Sequence, residues 1–438
     1  MRSAKYVITA IVLLTSLAWL AAEPNLLTTR GFALRSLLIQ YSGIISIVLM
    51  SQCMLLALRL PLVERFTHGL DKSYRIHKWL GIAAVVSGAL HWLLAIVPKK
   101  LVQAGFIDRP VRAGSGGANL DGTVAWLRSY KGEAEFIGEW GFYLMALLLV
   151  VSLVAIVRYK PFRISHRLMA LCYIVLGVHS LVLIKPAYWG LPISILTSGF
   201  IVLGLAAALY SLFGRVGASK VHRGIIAKVR YFPGMASTEV VIDMPPSWPG
   251  FKPGQFAYLR YGEEEPHPFT IAGGKGKQLR FMIKALGDFT EGLHMKLREG
   301  ELVEVEGPYG DFTFDAKSKQ IWIAAGIGIA PFMARLEWLA AKPSTQPITL
   351  IFSAKHPDPS LISELQKRAR TAGVALKLVD TATQPRMSAE QLARECGSVD
   401  DGAVYYCGPV GFAKQLKLSL VDSGLKPQHF HQELFEMR

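Results

Sequence analysis

The stretch HKWLGIAAVVSGALH, running from His77 to His91, holds two imidazoles 14 residues apart inside an otherwise apolar run. A second stretch, HRLMALCYIVLGVH, does the same from His166 to His179, with a spacing of 13. Read as helices with a rise of 1.5 Å per residue, each places its two histidines roughly 20 Å apart along the axis. Ionisable side chains are costly within a membrane span, so each of the four is a functional candidate.

Working outward, six segments approach the twenty or so apolar residues that a membrane helix needs. They are Tyr6–Ala22, Ser36–Leu58, Trp79–Pro98, Ile137–Val157, Leu168–Ile184 and Leu191–Phe213. The first also fits a signal sequence, with Arg2 and Lys5 before it and Ala-Ala-Glu after it. Lys and Arg in the short loops set the orientation. Arg59, Arg65, Lys72, Arg75 and Lys78 lie between spans two and three, and Arg158, Lys160, Arg163 and Arg167 between four and five. The loop between spans five and six has only Lys185, while that between three and four mixes both signs. This pattern predicts a cytoplasmic N-terminus and a cytoplasmic C-terminal half, in an inner (plasma) membrane. The net charge of +16 is then a topology signal beside apolar runs, not a stripe for nucleic acid. Four cysteines without paired spacing argue against a disulfide framework or a structural zinc site.

In this orientation spans three and five both run outward. His77 and His166 share the cytoplasmic side, and His91 and His179 share a level nearer the outside. Two histidines at each of two depths meet the requirement for two bis-histidine b-type haems, and iron so ligated has no vacant position, which suits electron transfer. A spacing of 14 returns nearly to one helix face, whereas 13 does not. A bulge, a tilt, or approach from different sides is needed. Interfacial or hydrogen-bonded core histidines are the other reading.

From about Lys220 the composition becomes that of a soluble domain. VHRGIIAKVRYF, TEVVIDM, QFAYLRY, LRFMIKAL and ELVEVEGPYG read as strands of a small antiparallel barrel. From Gln320 the pattern turns to strand–helix–strand: IWIAAG, a helix from about Pro331, ITLIFSAK, further helices and VYYCG, which argues a parallel α/β sheet. Three short segments punctuate these strands: His267-Pro268-Phe269-Thr270, Leu286-Gly287-Asp-Phe-Thr290, and Gly326-Ile327-Gly328-Ile-Ala-Pro331. Glycines before a helix start let backbone N–H groups approach a pyrophosphate. Cys407-Gly408-Pro409 follows the last long strand. Each is weak alone.

In this order and spacing the segments resemble the ferredoxin–NADP reductase superfamily. The resemblance implies that HPFT binds flavin, with Thr270 near the isoalloxazine, and that Gly287 and Thr290 belong to the FAD pyrophosphate loop. It implies further that Gly326, Ile327, Gly328 and Pro331 form the nicotinamide nucleotide's pyrophosphate turn. Cys407, Gly408 and Pro409 then lie beside the nicotinamide, and Phe435 covers the flavin ring. Six spans, paired histidines and a fused reductase resemble the NADPH oxidase and ferric reductase superfamily, in a minimal prokaryote-type form without an EF-hand.

The expected architecture is a six-span all-α haem domain over 1–215, an FAD-binding β-barrel over 216–316 and an α/β NAD(P)-binding domain over 317–438. The resemblance implies electron flow from NAD(P)H through FAD and two haems to oxygen, giving superoxide, or to a ferric chelate. The second nucleotide-domain strand ends Ser353-Ala-Lys355-His356 with no acid for ribose hydroxyls, so a basic Lys355 favours NADPH over NADH; a solvated surface lysine is the other reading. A haem-free, membrane-anchored flavin reductase is the alternative. A transporter is disfavoured because spans one, four and six carry few polar residues.

Overall fold

The computed structural model describes residues 2–108, 122–154, 159–287, 289–314, 319–384, 388–397, 399 and 402–433. Phe435, Arg158, Val157 at the expected end of span four, and Arg109 and Arg112 of the loop between spans three and four lie outside these residues. The chain divides into two compact units, one of helices to Val216 and one from Gly217 onward that also takes in Gly69–Asp71.

The first unit has six long apolar helices: α1 Arg2–Ala22, α2 Gly31–Leu56, α3 Leu70–Gln103, α4 Lys131–Leu153, α5 Tyr159–Leu183 and α6 Pro192–Leu212. All six are long and apolar enough to cross a membrane. Leu, Val and Ile side chains such as Leu13, Leu147, Ile195 and Val202 point outward, as in helices that meet lipid rather than water. The interior is packed from Ile47, Val48, Ala84, Tyr173 and Ile201.

Side-chain bonds to main chain tie α2 to α3 along an antiparallel seam. Ser46 Oγ donates to Ala84 O at 2.9 Å and Ser87 Oγ to Ser42 O at 3.1 Å. Farther along, Arg35 Nε donates to Leu94 O at 2.7 Å and Nη2 to Ala95 O at 2.9 Å. Pro98 sits inside α3 and has no N–H, so the carbonyl it deprives is that of Leu94, four residues back. Arg35 supplies the missing donor. Helix α1 is built into the bundle: Trp19 is buried and donates to Tyr188 Oη at 3.0 Å.

The second unit begins with a closed six-stranded antiparallel barrel. Its strands are β1 Val221–Phe232, β2 Ser237–Asp243, β3 Phe256–Arg260, β4 His267–Gly273, β5 Gln278–Lys284 and β6 Leu302–Tyr309, in the order β1-β2-β5-β4-β3-β6. Alternating side chains of these strands fill the interior with Ile226, Val240, Ile242, Ile271, Phe281 and Val305.

A five-stranded parallel sheet follows: β7 Lys319–Ala325, β8 Ile348–Ala354, β9 Ala375–Asp380, β10 Gly402–Cys407 and β11 Phe430–Gln432, ordered β11-β10-β7-β8-β9. Helices α7 Ala330–Ala341, α8 Pro359–Thr371, α9 Ala389–Cys396 and α10 Val410–Asp422 make the crossovers. The central strands are buried on both faces, as parallel sheets require.

An ion network joins the barrel to the sheet. Glu364 of α8 accepts from Arg280 Nη1 at 2.7 Å, Arg230 Nη2 at 3.1 Å and Arg368 Nη2 at 2.7 Å. Arg368 also reaches Glu337 of α7 at 2.9 Å, and Arg230 and Arg280 flank Glu239 at 3.1 and 3.5 Å. Burial opposes the charge on Glu364, but the guanidinium groups of Arg368 and Arg280 outweigh it and bring its pKa down to about 2.

Candidate functional site

The bundle brings the four predicted histidines together in pairs. The rings of His77 (α3) and His166 (α5) have centroids 5.8 Å apart, and those of His91 (α3) and His179 (α5) 6.2 Å. Two imidazoles sharing one metal ion, each bonded at about 2 Å, have centroids roughly 6 Å apart. The paired residues advance in the same direction on both helices, so α3 and α5 run parallel.

The partners of Nδ1 decide which nitrogen faces the gap. His77 Nδ1 donates to Cys53 O at 2.9 Å, His91 Nδ1 to Ile39 O at 2.9 Å, and His179 Nδ1 to Ala134 O at 2.7 Å. Carbonyls only accept, so the ring proton is on Nδ1 and the lone pair on Nε2, as a metal-binding imidazole requires. His166 Nδ1 instead faces Ser152 Oγ at 3.3 Å. Helix α4 carries Gly138 hard against His179: a Cβ there falls 1.9 Å from Nδ1. Among the described residues no cluster of three or more metal-ligating side chains occurs. Two ligands per site with no third suit a metal held equatorially by a macrocycle, and the residues present fit haem.

The spacing of 13 needs no bulge, because α5 is continuous α-helix from Tyr159 to Leu183. At 3.6 residues per turn His166 and His179 leave α5 on faces about 140° apart. The two pairs therefore form on different sides of α5, with rings inclined at 62° and 90° to their partners. Cys172 and Tyr173, midway between them, are buried, and Tyr173 Oη lies 2.7 Å from Ser51 Oγ.

In the second unit the expected segments converge on a residue that the sequence did not single out. Glu433 follows β11 and is buried. It accepts from Thr270 Oγ1 at 2.9 Å through one carboxylate oxygen and from Cys407 Sγ at 3.3 Å through the other. Its own N–H donates to Tyr406 O at 3.2 Å. Burial, against the donation from Thr270 and Cys407, raises its pKa to about 7, and burial with the adjacent carboxylate holds the Cys407 thiol well above its usual range. The Gly326–Ile329 turn stands beside Cys407. Gly326 has φ of +56°, which favours glycine, and a Cβ on Gly328 falls 2.1 Å from Cys407 O, which leaves room for no side chain there. Pro331 lies in the first turn of α7, Ile327 packs on the sheet core, and Pro409 precedes α10 and accepts from Tyr406 Oη at 3.0 Å. Gly408 packs tightly between Ala325 and Tyr406.

His267, Pro268, Phe269 and Thr270 are the first four residues of β4. His267 and Pro268 pair only with β3, since β5 joins at Ile271, and a proline is tolerated on that open side. The Leu286–Thr290 turn is closed by its own threonine: the N–H groups of Leu286 and Gly287 donate to Thr290 Oγ1 at 2.9 and 3.2 Å. Phe289 of this turn stacks on His267 with centroids 4.1 Å apart. Lys355 is exposed at the end of β8. An acid does stand nearby, one strand over: Asp380 at the end of β9, where it accepts from the N–H groups of His356 at 3.3 Å and Ala382 at 2.9 Å.

A bundle able to span a membrane, joined to a flavin-type barrel and a nucleotide-type parallel sheet, defines a transmembrane flavin oxidoreductase. Residues 42–177, which hold all four histidines, match the family of ferric reductase like transmembrane components, and residues 223–313 match an FAD-binding domain family. Residues 42–177 thus form a ferric reductase-like transmembrane domain, fused to an FAD domain of the ferredoxin–NADP reductase type at 223–313. Curated relatives include the flavohemoprotein of Pseudomonas aeruginosa, 29% identical over 202 residues (42% of this chain, 51% of that one). The flavohemoprotein of Bacillus subtilis is 27% identical over 207 residues, 43% of this chain and 52% of that one. The chain spans about half the length of these relatives. Among solved structures, flavohemoglobin from Malassezia yamatoensis with bound FAD and heme is 19% identical, covering 72% of this chain and 99% of that chain at a TM-score of 0.47.

Proposed function

We propose that this protein is an NAD(P)H oxidase or ferric reductase-type flavohaem oxidoreductase. It moves electrons from NAD(P)H on the cytoplasmic side to oxygen or a ferric chelate on the other side of the membrane. The observation that carries this reading is the meeting of the four histidines in two pairs about 6 Å apart, three of them with the ring proton fixed on Nδ1. When bound, FAD converts the two-electron hydride into single electrons, and bis-histidine haem accepts those one at a time.

The chain's own part is binding and alignment. His77 and His166 hold one haem b, and His91 and His179 the other. Thr270, His267, Pro268 and Phe269 line the flavin side, with Gly287 and Thr290 at its pyrophosphate. The Gly326–Pro331 turn offers backbone N–H groups and a helix start to the nucleotide phosphates. Cys407, Gly408 and Pro409 border the nicotinamide, Lys355 favours a 2′-phosphate, and Phe435 covers the flavin ring until nicotinamide displaces it. Glu433, with its pKa raised to about 7, gains and loses a proton around neutral pH beside Thr270 and Cys407.

The test is cofactor content. Purified wild-type protein should carry two haems and one FAD per chain, and His179→Ala one haem with FAD retained. Two haems in His179→Ala overturn the ligand assignment. FAD without haem in the wild type leaves a membrane-anchored flavin reductase.

A further inference from the structure

The bundle does not treat its four histidines alike. His77, His91 and His179 each give their Nδ1 proton to a main-chain carbonyl at 2.7–2.9 Å. His166 faces a serine hydroxyl at 3.3 Å. That hydroxyl is not a free rotor, because Ser152 Oγ donates its one hydrogen to Leu148 O at 2.8 Å. Only its lone pairs are left for His166, so Ser152 accepts and the imidazole donates. On another side, the Phe162 ring stacks against His166 at 5.3 Å and 23°.

We propose that Ser152 is the positioning residue of His166 and that this weaker, side-chain acceptor sets the two haem sites apart in redox potential; the proposal rests on the two-haem reading above. An acceptor on the distal nitrogen raises the basicity of a ligating imidazole and so stabilises oxidised iron. A carbonyl at 2.7–2.9 Å does this more strongly than a hydroxyl oxygen at 3.3 Å. The His91/His179 site has two carbonyl acceptors and the His77/His166 site has one carbonyl and one hydroxyl. His166 is therefore the one ligand of the four whose Nδ1 faces a side-chain acceptor with no carbonyl beside it; the other three have backbone carbonyls, to which His77 adds Cys53 Sγ at 3.2 Å.

The bundle contains its own control. Ser42 Oγ stands 3.4 Å from His91 Nδ1, the same kind of contact, but there Ile39 O at 2.9 Å takes the proton. Removing the Ser42 hydroxyl should leave the haem potentials in place, whereas removing that of Ser152 should not.

The experiment is potentiometric titration of the purified full chain, following the reduced haem bands, for wild type, Ser152→Ala, Ser152→Thr and Ser42→Ala. Ser152→Ala should raise one of the two midpoints and leave the other unmoved. A loosened His166 should also let a fraction of one haem bind carbon monoxide when reduced, which a closed bis-histidine site does not. Ser152→Thr, which keeps the hydroxyl, should restore both properties, and Ser42→Ala should match wild type. Loss of one haem in Ser152→Ala with retention in Ser152→Thr supports the same role. Unmoved midpoints in Ser152→Ala, an equal shift of both, or an equal effect of Ser42→Ala overturns the proposal while the two-haem reading stands. A wild-type protein that binds no haem sinks both.

Discussion

Replacing Gly138 with alanine puts a methyl group where the His179 ring now lies. The added Cβ falls 1.9 Å from Nδ1, 2.3 Å from Cε1 and 2.5 Å from Cγ. Non-bonded heavy atoms settle at about 3.5 Å, so the ring must retreat by roughly 1.5 Å. The Nδ1–Ala134 O bond of 2.7 Å does not survive that movement. Losing it leaves a buried donor unsatisfied, at about 1–3 kcal/mol, and overpacking adds about 1–3 kcal/mol. Alanine is itself the better helix former by about 1 kcal/mol, so any damage comes from the collision and not from α4 unwinding. The His77/His166 pair lies roughly 20 Å away along the helices and is untouched. The assay is haem per FAD in purified protein, with the expected ratio falling from two toward one. Two haems with an unaltered spectrum would show that His179 does not serve as a ligand in the orientation described. Gly43→Ala should be milder, since its Cβ meets the His91 ring at 3.0 Å.

Glu433 predicts a pH dependence. Its pKa is raised from 4.5 to about 7, so the contribution to stability is full below about pH 4.5 and is lost as pH rises through 7. The loss is on the order of 3 kcal/mol. Thermal release of FAD should become easier between pH 5 and 8 in wild type, and Glu433→Gln should flatten that slope; equal slopes refute the burial argument. Glu364→Gln removes the anion shared by three arginines and should lower the unfolding temperature of the reductase half, at a cost of about 3 kcal/mol. In wild type that stability should be lost as pH falls from about 4.5 toward 2, and a variant as stable as wild type at pH 7 shows the network to be idle. Lys355→Asp should shift the preference from NADPH toward NADH, and Phe435→Ser should change nicotinamide affinity; unchanged kinetics remove either residue from its role.

What could be read from the sequence followed the strength of local pattern. The six spans announced themselves because a membrane helix is apolar all round and long. The two histidine stretches were legible because imidazole is out of place there. Strand β4 was hidden by Pro268, which argues against a strand until β3 and β5 reveal that its first residues lie on an open side. Strands β9 and β11 were too short and too exposed, or too brief, to stand out, and both exist because a neighbouring parallel strand receives them. Glu433 gave no local signal: one acid among the last residues acquires meaning only when β11 adds beside β10 and carries it to Thr270 and Cys407. Asp380 is likewise adjacent to Lys355 only through strand pairing. The acceptors of the histidine protons were illegible in principle, since three of the four are backbone carbonyls, which every residue has.

On the proposed function, one electron path runs through nicotinamide, flavin and two haems in this chain. It is tested most directly by the absorption spectrum of the detergent-purified protein before and after NADPH is added without oxygen, with haem and FAD quantified. Two b-type haems and one FAD per chain are expected, with sharp reduced haem bands on adding NADPH. Flavin that bleaches with no haem present, or haems that stay oxidised while the flavin is reduced, would contradict it.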